Sequence, residues 1–129
     1  MGGTVTRPAL RRHLLDLIAE APGPAPDLSP TDWDALDALA AEHRLQPLLH
    51  SHRRADPAVP ERLRAVWKAA HREAGLIAMT QRADLLDTVA LLRAEGIEPV
   101  AMKGAWLAWH AYPQPTLRPM RDLDLLVPS

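Results

Sequence analysis

The sequence predicts an α+β fold: a mostly helical amino-terminal part over residues 1–95, then the start of a sheet, in strand-helix-strand order, over residues 96–129. Three observations predict it. Apolar residues recur at helical spacing in several stretches before Gly96. The longest of these runs from about Pro60 to Glu95 without an internal proline. After Gly96 the pattern changes to the short apolar runs P-V-A-M and D-L-L-V, which have strand length. Two short strands do not make an independently stable sheet in water, so further strands or a partner chain are expected to complete it.

Taken in order, Thr6 can cap a first helix near Pro8, with Leu10, Leu14, Leu15, Leu17 and Ile18 as its apolar stripe and an end by Ala21. The segment over residues 21–30 is too rich in proline for a helix or a central strand and reads as a semi-rigid extended linker. Ser29 then caps and Pro30 opens a second helix, with Trp33, Leu36, Leu39 and Ala40 on one face. Its continuation, E-H-R-L-Q-P-L-L-H, is expected to break near Pro47 and to carry Leu45, Leu48 and Leu49 into the same core. From Leu63 to Leu92 the apolar spacing gives one long helix, or two joined near Gly75. Gly96 is a natural stop, because glycine tolerates the left-handed conformation at a helix end. Ile97 to Met102 then reads as the first strand.

The totals exclude several classes of function. At 129 residues there is room for one domain or part of one. Lys+Arg 15 against Asp+Glu 16 leaves a net charge of -1, so no global basicity points to nucleic acid. The chain has no cysteine, which removes disulfides, thiolate metal sites and a cysteine nucleophile and fits a reducing cytoplasm. No apolar run approaches the length of a membrane span. Its serines, Ser29, Ser51 and Ser129, sit in no nucleophile elbow.

Chemistry concentrates between Val100 and Val127. On a strand, Asp122 and Asp124 project to the same side and offer two carboxylates to one metal ion. Lys103 and Gly104 close the first strand where a helix is expected to begin, a position that favours phosphate. Each has a plainer reading: a solvated strand start for the aspartates, a lysine with its head in water for Lys103. Trp106, Trp109 and Tyr112 fit core or interface better than base stacking. His50, His52 and His110 have no recognised ligand spacing. Arg53, Arg54, Arg62, Arg64 and Arg72, balanced by Asp56, Glu61 and Glu73, read as a solvated face.

In this order and spacing, L-L-R-A-E-G-I-E-P-V-A-M-K-G-A-W-L-A, then Y-P, then R-P-M-R-D-L-D-L-L-V resemble the amino-terminal part of an uncharacterised nucleotidyltransferase family of the polymerase-beta superfamily. The E-H-R-L-Q-P-L-L segment is similar to that family's helical lead-in. The resemblance implies a polymerase-beta-like sheet beginning near residue 96. It also implies that Asp122 and Asp124 are catalytic and bind Mg²⁺, and that Lys103, Gly104 and Arg118 contact the phosphates of a nucleoside triphosphate. The implied reaction is transfer of NMP from a Mg-bound NTP to an acceptor, small molecule, peptide or protein, that the sequence does not name. The superfamily's third carboxylate has no counterpart after Asp124. The readings therefore lean toward an enzyme while keeping a different class open: a non-catalytic, truncated nucleotidyltransferase-like interaction module completed by a partner chain, or self-associating through its incomplete sheet.

Overall fold

The computed structural model describes residues 4–19, 23–102 and 124–128. The chain divides into two compact units, Met1–His71 and Arg72–Ser129, and the division falls inside the longest helix.

The first unit holds α1 (Arg7–Leu17), α2 (Pro30–Glu42), α3 (Gln46–Arg53) and the opening turns of α4 (Glu61–Ala94). Both expected caps are present. The Thr6 hydroxyl accepts from the Ala9 N–H at 3.4 Å, and the Ser29 hydroxyl accepts from the Asp32 N–H at 3.1 Å while donating to the Asp32 carboxylate at 3.0 Å. The other Asp32 oxygen accepts from the Val5 N–H at 3.1 Å, so one buried carboxylate ties the segment before α1 to the start of α2.

The break after α2 falls earlier than the expected position near Pro47. Arg44 adopts φ 57, the Leu45 N–H reaches the Ala40 carbonyl at 2.8 Å, and the Arg44 N–H reaches Ala41 at 3.1 Å. This pair of bonds around a left-handed residue ends the helix and satisfies its last carbonyls. Pro47 lies in the first turn of α3, where a missing N–H costs nothing.

Leu10, Leu14 and Leu17 of α1, Trp33, Leu36, Leu39 and Ala40 of α2, Leu49 of α3, Val59, and Leu63 and Trp67 of α4 form one core. Trp67 and Leu36 are fully buried, and the Trp67 indole N–H donates to Asp37 at 2.8 Å, so the largest core side chain keeps its one polar atom satisfied. Asp37 also accepts from the Gln46 amide at 2.9 Å.

Arg53, read from the sequence as part of a solvated face, is buried. Its guanidinium donates to the carbonyls of Leu17 at 3.0 Å, Gly23 at 3.1 Å and Asp16 at 3.3 Å, and pairs with Asp56 at 3.1 Å. The carbonyls at the end of α1 lack intrahelical partners, and a planar five-donor cation can serve several of them together.

In the second unit α4 continues without interruption through Gly75, giving one 34-residue helix of about 50 Å. It stops as the glycine predicts. Gly96 has φ 75, the Ile97 N–H bonds to Leu92 at 2.9 Å and the Gly96 N–H to Arg93 at 3.0 Å. The first strand, β1, covers only Val100–Met102 rather than starting at Ile97. Ile97 has its N–H committed to closing α4, and Pro99 has none to offer a ladder. β2 (Asp124–Leu126) pairs with it antiparallel in the register Val100↔Leu126, Ala101↔Leu125, Met102↔Asp124. The described fold is thus mostly helical, and three paired positions do not by themselves establish the expected polymerase-beta-like sheet.

Candidate functional site

Lys103, Gly104, Arg118 and Asp122, together with Trp106, Trp109, His110 and Tyr112, lie outside the described residues. Asp124 is the one expected site residue whose backbone is described. It opens β2 and sits across the ladder from Met102, the residue before Lys103. The end of β1 and the start of β2 therefore meet at one end of a single two-stranded ladder. Among the described residues no group of three or more His, Cys, Asp or Glu is arranged to hold a metal ion.

The first unit carries a second polar cluster, around a histidine for which the sequence offered no ligand spacing. His50 of α3 and His71 of α4 face each other with ring centroids 4.8 Å apart and planes tilted by 43°. His50 Nδ1 is buried and has no hydrogen-bond partner. Burial first, then the neighbouring His71, Arg54 and Lys68, holds the His50 pKa below its ordinary 6.5. The spacing of His50 and Arg54, four apart on one helix, was visible in the sequence. The partner helix that brings Lys68 and His71 to them was not.

A family described as Uncharacterised nucleotidyltransferase matches residues 29–129. The chain belongs to this family. The match takes in α2, α3, α4 and both strands, and with them every residue named for the phosphate and carboxylate site. No curated protein and no solved structure was found to match the chain.

Asp122 and Asp124 are hard oxygen donors, and Mg²⁺ favours one or two carboxylates completed by water and substrate phosphate. With no cysteine in the chain, and imidazole no preferred ligand of this ion, the residues present fit it. No helix among the described residues is long and apolar enough to cross a membrane.

Proposed function

We propose that this chain is the nucleotide-handling part of an enzyme that transfers NMP from a Mg-bound NTP to an acceptor hydroxyl. The observation that carries the reading is the family match over residues 29–129, which contains K-G after β1 and R-P-M-R-D-L-D-L-L-V running into β2. The ladder register supports it, because it sets Met102, the residue before the first motif, opposite Asp124 of the second.

In this reading Asp122 and Asp124 hold Mg²⁺, which when bound neutralises phosphate charge. Lys103, the backbone N–H of Gly104 and Arg118 hold and orient the phosphates. Nucleotidyl transfer is an in-line displacement at phosphorus, so positioning and charge neutralisation supply most of what the protein contributes. The α-phosphorus forms a bond to the acceptor oxygen as its bond to the bridging oxygen breaks, and pyrophosphate leaves.

A second reading, a non-catalytic interaction module, draws on the exposure of Val100, Leu126 and Val127 beside a ladder of three pairs among the described residues. Exposed apolar strands are surfaces on which another strand can pair.

Calorimetry with ATP, GTP, CTP and UTP in the presence and absence of Mg²⁺ separates the two. The enzyme reading expects metal-dependent binding of at least one nucleotide that disappears in the Asp122→Asn/Asp124→Asn variant. A folded wild-type protein that is as silent as the variant would leave the interaction module as the better reading.

A further inference from the structure

We propose that His50, Arg54, Lys68 and His71 form a binding site for a phosphate-type oxyanion within the helical unit. The site shares no residue with the nucleotide site proposed above.

The geometry begins with helical spacing. His50 lies on α3 and Arg54, four residues on, caps the end of that helix in helical conformation, while Lys68 and His71 are three apart on α4, so each pair shares one face. The two faces meet at the imidazoles, 4.8 Å between ring centroids. Every charged group that acts on His50 is basic: His71, Arg54 and Lys68. Of the carboxylates in this unit, Asp56 is committed to Arg53 and the Ala58 N–H, and Asp37 to Trp67 and Gln46. Arg54 and Lys68 are exposed and have no hydrogen-bond or ion-pair partner among the described residues.

Within this cluster His50 Nδ1 is withdrawn from water with nothing to bond. A buried nitrogen in that state is costly and calls for a partner. A metal cation is a poor candidate, since the arginine and lysine repel it. An oxyanion is attracted by both, and its several acceptor atoms suit the donors around it.

Protonation strengthens the fit. A neutral imidazole has one N–H, whereas the imidazolium has two, so an incoming anion favours uptake of a proton by His50. By linkage the proton favours the anion equally. The site is therefore expected to bind more tightly as pH falls through the histidine range.

The test is a titration of the full chain with sodium sulfate at constant ionic strength, read by the proton–nitrogen shifts of the histidine rings, with EDTA present so that any metal-dependent nucleotide site stays silent. Sulfate keeps its charge between about pH 6 and about pH 8, so a change in affinity over that range reports the protein's own titration. A saturable shift of the His50 and His71 rings is expected, about tenfold tighter at the lower pH. Lys68→Gln and Arg54→Gln, both exposed and outside the core, should each weaken binding several-fold. Repetition with pyrophosphate should give saturation at lower concentration. Absence of a saturable ring shift, affinity independent of pH, or shifts undiminished in both variants would overturn the proposal.

Discussion

The helical unit and the strand-bearing unit draw on much the same set of apolar residues and use them differently. In Met1–His71 three leucines of α1, a tryptophan and two leucines of α2, and Leu63 and Trp67 of α4 converge on one continuous core. Beyond Arg72, Ala78 is the only buried residue among those whose burial is described. Leu76, Met79 and Leu91, at 63%, 70% and 71% exposure, point to solvent from the same helix that buries Trp67. One helix thus reads as core at its start and as open apolar surface further on. Helical periodicity says which residues share a face; it does not say whether that face is covered.

The sharpest way to break this contrast is to truncate one large apolar side chain in each unit. Trp67→Ala should destabilise the helical unit by about 3–5 kcal/mol in urea unfolding, because it removes a fully buried ring and one of the two donors to Asp37. Leu91→Ala should change stability by no more than about 0.5 kcal/mol. Comparable losses at the two positions would show that the exposed stretch is packed in solution. Next in size, Arg53→Ala should cost about 3 kcal/mol, and Arg53→Lys should recover little of it, since a lysine presents no planar fork to three carbonyls and a carboxylate.

Two smaller effects refine the comparison from the helix ends. Ser29→Ala removes the α2 cap and one partner of Asp32, and should lower stability by about 1 kcal/mol. Gly96→Ala meets no steric obstacle but keeps φ 75, and should cost about 1 kcal/mol through conformation alone. The smallest effect is a slope. The folded chain holds fewer protons on His50 than the unfolded chain, so this ring's contribution is complete above 6.5 and declines as pH falls through that value toward the lower folded pKa. His50→Gln should flatten the acid side of the stability curve in the absence of bound anion.

Elements governed by local rules were legible in the sequence. Thr6 and Ser29 cap, Gly96 stops α4, and Trp33, Leu36, Leu39 and Ala40 are buried as their spacing requires. What escaped was tertiary. Nothing in the order of residues marks Arg53 as buried, because its three carbonyl acceptors lie 30 or more positions away. His50 and His71 escaped for the same reason, since α3 and α4 meet only in the folded chain. Arg44 is a different case: a left-handed arginine carries no compositional signature, whereas the nearby Pro47 signals a break by its residue type alone. In the strand region the family motif was readable because its residue types stand at fixed spacing, and the family match covers it.

The arginine at position 53 also bears on where this domain begins. Family similarity starts at residue 29, yet the acceptors that satisfy this guanidinium belong to Asp16, Leu17 and Gly23, and Leu10, Leu14 and Leu17 pack into the shared core. A fragment cut at the edge of the similarity would keep a buried cation and remove three of its acceptors. The folding unit is longer than the recognisable one, and an expression boundary drawn from sequence likeness would fall inside it.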